Sequence, residues 1–327
     1  MGVQLPFVGI RTFMKRPHVT DWDNIDADVA VLGAPFDLGT ALRPGARFGP
    51  AAIREGSQTY HAQWGWYDPE DDCHYLDPAK VRIVDLGDVE MIHFDAMQCI
   101  DNIRDSMRKV IRSGALPIVI GGDHSIHAPC IEAFDVSGFP SIHIVHIDAH
   151  LDYVDERGGV RYGQGNPLRR AAALPYVTGI THVGIHGAGS STQADYEAAR
   201  AAKSHIVTIR NFRRMTLDEV TARIPEDAVV YFTVDIDGFD PSIAPGTTAP
   251  SVGGLHYEEV IDLVRHVAQR WPVVGLDLVE VCPVCDESGR TALLAAQFLH
   301  KTLSYFFGPG AKPRPKLKIA ARAKIPA

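Results

Sequence analysis

The 327-residue sequence predicts an α/β protein, with one mostly parallel sheet of eight strands and helices on both faces. Three observations carry that expectation. Short apolar, β-branched runs recur along the chain, segments of helical periodicity fill the gaps between them, and polar clusters follow the carboxyl ends of four of the runs. No internal repeat or break in composition marks a second domain. A hydrophobic content of 46% is enough for a sizeable core.

Taken in order, the strand candidates are VAVLGA (29–34), VRIVDLGD (81–88), LPIVIGG (116–122), SIHIVHID (141–148), ITHVGIH (180–186), HIVTI (205–209), AVVYFTVDID (228–237) and VVGLDLVE (273–280). Helical patterns occupy 96–114, 192–203, 257–270 and 290–307. Alternating strand and helix is the mark of βαβ units, whose ligands bind beyond the carboxyl ends of the strands. Here GGDH (121–124), DAHLD (148–152), DIDGFDP (235–241) and Glu280 all stand at such ends. Randomly charged surface loops would not place their acids at one end of the sheet.

Charge and cysteine usage exclude several function classes. The net charge is −8, yet residues 308–327 hold six Lys or Arg and no acid, so residues 1–307 carry −8 − 6 = −14. Such a body repels nucleic acid and attracts small cations. We expect a single domain over 1–307 and a basic, flexible tail over 308–327. No apolar stretch reaches the ~18 residues of a membrane span, and the N-terminus lacks a secretory pattern, which predicts a cytoplasmic protein. Five cysteines are an odd number for a disulfide framework. CPVC (282–285) has C-x-x-C spacing without a second pair or a thioredoxin-like context, and reads as packed thiols.

The stretch HIDAHLDYVD (146–155) concentrates the chemistry. Asp148, His150 and Asp152 stand at i, i+2 and i+4, so in an extended segment they point the same way and converge on one spot. Crowded, partly buried ionisable groups need a neutralising partner, and a bound cation is the natural one. Adding the other strand ends gives His124, Asp148, His150, Asp152, Asp235 and Asp237, with Glu280 nearby. Oxygen and imidazole donors without thiolate select a hard or borderline divalent ion, Mn²⁺ first, with Ni²⁺, Co²⁺ or Zn²⁺ as alternatives. Five carboxylates leave three charges uncompensated by one divalent ion and one by two. Two ions ~3.5 to 4 Å apart are the arrangement hydrolases use.

The blocks GGDHS, HIDAHLD, DIDGFDPSIAPGTTAPSVGGL and VEVCPVCDESGRTALLAA, with GAPFDLGTALRPGARFGPAAIRE (33–55), resemble the signature blocks of the arginase and agmatinase (ureohydrolase) family. FGPAAIRE and NPLRRA place the likeness on the agmatinase branch. The resemblance implies a three-layer α/β/α sandwich around an eight-stranded parallel sheet, and two Mn²⁺ per chain. His124, Asp148, Asp152 and Asp235 would hold one ion and His150, Asp148, Asp235 and Asp237 the other. It further implies Glu280 as the guanidinium anchor, Asp152 as the holder of the nucleophile's proton, and trimers or hexamers, with a mixed oligomer as an alternative. The implied reaction cleaves a small cationic guanidino compound to urea and an amine. Candidate substrates are agmatine, guanidinobutyrate, guanidinopropionate, guanidine or a biguanide-like molecule. The competing readings are a low-activity supporting subunit and an arginase-fold amine deacetylase.

Two departures stand out. In RYGQGNPLRR, Gln164 takes the place of a histidine the family uses to move protons, and Asn166 follows it. Glutamine does not titrate. In GIHG (184–187), His186 replaces an expected arginine and could compensate for Gln164, so Gln164, Asn166 and His186 join Glu280 as substrate-contact candidates. YHAQWGWYDPEDD (60–72) gathers Tyr60, Trp64, Trp66 and Tyr67 beside acids, and reads as an interface loop or as a lid over a guanidinium. His182, His205, His256, Arg169 and Arg170 read as structural or solvated.

Overall fold

The computed structural model describes residues 5–61 and 65–315. Its strands are β1 (Val29–Ala34), β2 (Trp66–Asp68), β3 (Cys73–Tyr75), β4 (Ile83–Asp88), β5 (Leu116–Gly121), β6 (Ile142–Ile147), β7 (Val177–Ile185), β8 (Ser204–Thr208), β9 (Val229–Asp235) and β10 (Val273–Val279). The helices are α1 (Gly49–Gly56), α2 (Ala96–Ser113), α3 (His127–Glu132), α4 (Pro167–Ala172), α5 (Gln193–Ala201), α6 (Ile209–Phe212), α7 (Leu217–Thr221), α8 (Tyr257–Arg270) and α9 (Arg290–Phe306). All eight apolar runs become strands of one parallel sheet, ordered β4-β1-β5-β10-β9-β6-β7-β8.

Side chains alternate across this sheet, and both faces are covered. Val29, Val31, Ile118, Ile120, Val230 and Phe232 pack with α1, α8 and α9, whereas Ala30, Leu32, Val119, Val229 and Tyr231 pack with α2, α3 and α4. Fully burying a Val, Leu or Ile is worth ~1.5 to 3 kcal/mol, so a strand apolar on both faces gains on both. This is the three-layer sandwich that the sequence predicts. Helix ends follow local chemistry. Asp95 caps α2 by accepting from Gln98 N, and left-handed Gly114 ends it, while Thr192 with Asp195 forms a capping box on α5.

Only a few polar side chains lie inside the strands, and most have a partner, as burial demands, while the buried Tyr231 hydroxyl has none among the described residues. His143 Nε2 is 2.9 Å from Thr181 Oγ1, and His146, Thr233 and Asp277 form chains that lead to the carboxyl edge of the sheet. The topology then places the site. The strands ending in GGDH, Glu280, DID and DAHLD are β5, β10, β9 and β6, four consecutive neighbours in the middle of the sheet.

Two expectations change here. Residues 66–75 form a β2–β3 hairpin packed on α9, with Trp66 and Tyr60 each 5.0 Å from the His300 ring and Asp68 paired with Lys301. The hairpin is therefore not a lid over the acidic strand ends, and Trp64 lies outside the described residues. The expected flexible tail does not begin at residue 308, because Lys312 N donates to Ala268 O, and the half-buried Arg314 donates to Asp28 O and lies over the Phe307 ring. The remainder, 316–327, lies outside the described residues. Among the described residues no helix is long and apolar enough to cross a membrane.

Candidate metal centre

Strand β6 stops at Ile147, and the chain turns instead of continuing extended, with Asp152 in the left-handed region at φ 50°. Asp148, His150 and Asp152 therefore do not share one spot, as strand spacing had suggested. They divide between two groups joined by Asp148. One holds His124, Asp148, Asp152 and Asp235, the other Asp148, His150 and Asp237, and within each group the potential ligand atoms lie within 4.8 Å of one another. All of these side chains are buried except His150, which is half-buried. Asp235 joins the first group only, while its Oδ1 accepts from Asp237 N at 2.8 Å.

His124 supplies the sharpest test of whether the residues fit a metal. Its Nδ1 lies 3.1 Å from Asp148 Oδ2, 3.0 Å from Asp152 Oδ2 and 3.4 Å from Asp235 Oδ2, yet it is hydrogen-bonded to none of them. A buried nitrogen aimed between three carboxylate oxygens has the arrangement of a ligand around a shared cation. Its other nitrogen, Nε2, is 2.9 Å from Thr233 Oγ1, and the Thr233 hydroxyl donates to Asp277 Oδ1. Asp277 Oδ2 in turn faces His127 Nδ1 at 2.8 Å. This chain leaves the Nδ1 lone pair of His124 toward the cluster, as metal-binding histidines require. On the second side His150 Nδ1 is 3.1 Å from Asp237 Oδ2 and 3.6 Å from Asp148 Oδ1.

Electrostatics point the same way. Burial and the charges of Asp237 and Asp148 push Asp235 well above the usual carboxylate range, and burial with Asp148 pushes Asp237 up to about 6. Burial would also raise Asp148, but His146, His124 and His150 outweigh it and hold that carboxyl well below its ordinary value. Without a metal the histidines serve as the cations: despite burial, contacts with Asp148 and Asp237 push His150 up to about 12. Carboxylates that oppose one another's ionisation form a site a divalent ion would relieve.

Glu280 stands beside this cluster at φ 64°, fully buried. Its Oε1 accepts from His124 N at 2.9 Å and its Oε2 from Thr248 Oγ1 at 2.8 Å. Burial first and Asp123 second push it up to about 8. Non-glycine residues held left-handed cost on the order of 1 to 3 kcal/mol each, and here two of them, Asp152 and Glu280, border one site. Close packing also fixes the floor. A Cβ on Gly187 would lie 2.5 Å from the His150 ring, and one on Gly238 2.9 Å from Asp148 N.

The substrate-contact candidates fare differently. Gln164 is tied by its backbone to Gly39 O, and its Oε1 is buried with no hydrogen-bond partner among the described residues. Asn166, in contrast, turns its amide into its own loop, donating to Val154 O and accepting from Gly163 N, which makes it a strut of that loop and not a substrate contact. His186 is held by the backbone as well, its ring nitrogens 2.6 Å from Gly184 O and 3.1 Å from Ser251 O, and is not free to replace a mobile proton carrier.

Sequence reasoning missed His146. Its Nε2 lies 2.7 Å from Asp148 Oδ2 and its Nδ1 2.8 Å from His182 Nδ1, with Ser204 Oγ 3.2 Å beyond. A histidine inside a buried strand is the signal that could have found it. Of the others, His256 caps α8, Arg169 lies over the Tyr153 ring and Arg170 pairs with Asp155.

Comparison with known proteins agrees with this architecture. The arginase family profile matches residues 27–304. The chain is 33% identical to a guanidinobutyrase of Pseudomonas aeruginosa over 309 residues, covering 92% of this chain and 94% of that one. It is 34% identical to a mitochondrial agmatinase of Gallus gallus, covering 93% and 87%. Among solved structures, the proclavaminate amidinohydrolase of Streptomyces clavuligerus superposes with a TM-score of 0.82 at 32% identity, over 92% of this chain and 98% of that one. With ligand-type residues on four adjacent strand ends and this likeness over nearly the whole chain, the protein belongs to the arginase family and is one of its ureohydrolases.

Proposed function

We propose that the protein hydrolyses a small cationic guanidino compound to urea and an amine, using two divalent ions held by His124, Asp148, Asp152, Asp235, His150 and Asp237. One observation carries the reading: two ligand groups share Asp148 at the floor of a site that Glu280 borders with a buried carboxylate. Divalent ions bound there would supply Lewis acidity and activate water at neutral pH. The donor set, oxygen and imidazole only, suits Mn²⁺, with Ni²⁺ as the main alternative.

The chain's own residues have separate tasks in this proposal. Glu280 pairs with the guanidinium by a charge-assisted hydrogen bond, and the arriving cation stabilises its charged form. Gln164 accepts a guanidinium N–H at its unpartnered Oε1, which binds and orients the substrate without moving a proton. Asp152, at the edge of the first group, holds the proton of the attacking water. The active body is residues 1–307, assembled with further copies of itself. Exposed apolar side chains at Phe7, Ile10 and Phe94 support that assembly.

Urea release across a panel of agmatine, guanidinobutyrate, guanidinopropionate and guanidine tests the proposal, with the metal-free protein reconstituted in Mn²⁺, Ni²⁺, Co²⁺ or Zn²⁺. At least one pairing is expected to give urea, and Glu280→Gln to raise KM and lower kcat for it. Absence of urea from every pairing would sink it.

A further inference from the structure

The CPVC turn (282–285) lies two residues beyond Glu280, and its thiols are not merely packed. The Cys282 Sγ–H points at Cys285 Sγ, 3.4 Å away, across a one-turn 3₁₀ helix in which Cys285 N donates to Cys282 O at 3.0 Å. Disulfide sulfurs sit ~2.05 Å apart, so a bond needs little more than an ångström of approach. Access is available from one side. Cys282 is fully buried, while Cys285 is half-buried and Val284 between them is 64% exposed. The remaining cysteines, Cys73, Cys99 and Cys130, are also free thiols.

A closed circuit of contacts connects this pair to the carboxylate proposed to hold the guanidinium. Cys282 N donates to Gly246 O, in the loop that carries Thr248. The Thr248 hydroxyl donates to Glu280 Oε2, and Arg43 donates to Thr248 O at 3.1 Å. Two residues after Arg43, Gly45 approaches the sulfur so closely that a Cβ there would lie 2.7 Å from Cys282 Sγ. Its φ of 142° and its N–H bond to Asp37 Oδ2 fix that approach. Contacts therefore run from Cys282 Sγ along the chain to Glu280 and through the 43–45 loop to Thr248.

We propose that Cys282 and Cys285 are an oxidation site, closing to a reversible disulfide that weakens substrate capture at Glu280. The step balances with a two-electron oxidant of the peroxide or diazene class. Each thiol loses a proton and together they lose two electrons, forming one S–S bond. A peroxide accepts them with cleavage of its O–O bond to give two waters, and a diazene becomes a hydrazine; an external dithiol reverses the change. The disulfide itself stands on the sulfur geometry alone. Its effect on capture rests on the ureohydrolase reading.

The test treats the full-length, metal-loaded protein with the diazene diamide, maps its peptides without reduction, and measures urea release before and after dithiothreitol. The expected results are a Cys282–Cys285 link and a KM raised roughly tenfold, the size of one weakened charge-assisted hydrogen bond, both reversed by the dithiol. Cys285→Ser should keep the reduced enzyme's KM and lose the response. Absence of the link from native protein overturns the proposal, as does a KM shift that persists in Cys285→Ser. A link that leaves KM unchanged overturns the coupling to Glu280. Should the reduced protein release no urea from any guanidine, the ureohydrolase reading fails separately. The peptide map still scores the link in that case, along with a change in melting temperature that Cys285→Ser lacks.

Discussion

Two buried charge clusters lie at the carboxyl edge of the same sheet, and they solve one physical problem in opposite ways. At the end of β4 the guanidinium of Arg54, 8% exposed, is held by Asp85 at 2.8 and 3.0 Å, by Asp88 at 2.6 Å and by Gly87 O. Burial works against its charge, but these acids outweigh burial and keep it ionised. At the ends of β10, β9 and β6, five buried carboxylates form no ion pair with Arg or Lys among the described residues, and the aspartates face histidines instead. The first cluster carries its counter-charge in the chain, which makes it a structural joint. The second leaves that charge to be supplied from outside, which makes it a binding site.

The largest effect that can break this contrast is removal of a ligand of the first group. Asp235→Ala is expected to lose bound metal and to reduce urea release by more than the ~10- to 100-fold typical of outer-shell changes. Metal content per chain and initial rates would check it, and a fully active, metal-replete variant would erase the distinction between the clusters. Next, Arg54→Met strands Asp85 in the interior and should cost about 3 to 5 kcal/mol in a denaturant melt, while the folded fraction still binds metal. Recovery of part of that loss in Arg54→Met/Asp85→Asn would sharpen the structural assignment.

A smaller change is expected from Thr233→Val, which cuts the chain from His124 Nε2 to Asp277 without touching a ligand. It should weaken metal affinity ~10- to 100-fold in a chelator competition, and unaltered affinity would mean that His124 needs no orienting partner. The smallest effect is a trend with pH. In the metal-free protein Glu280 is pushed up to about 8 from 4.5, and Asp237 and Asp123 up to about 6 from 3.8, with burial the first cause in each case. Over that window the folded protein keeps protons the unfolded chain has released, so stability is fully present below about pH 4 and is lost as pH rises toward 8. Added metal should therefore raise the melting temperature by more at about pH 8 than at about pH 5. An equal gain at both would show that these carboxyls are not raised in the folded protein.

The sequence by itself determined the strands and the ligand types. Strands of a parallel sheet covered on both faces are mostly apolar, so all eight announced themselves, and acids ending four of them had few uses besides a cation. Spacing could not give the partition of Asp148, His150 and Asp152 into two groups, because that depends on where β6 stops and on a left-handed turn at Asp152. Neither could it foresee that β10 and β9 come between β5 and β6, which brings Glu280 and Asp235 beside His124. Nor could residue type separate Gln164, with a buried oxygen left unpartnered, from Asn166 and His186, whose polar atoms are taken by nearby backbone. Residue chemistry and periodicity are local and can be read along the chain. Which hydrogen-bonding groups remain free is settled only when distant segments meet, since each group's partner is then chosen by packing.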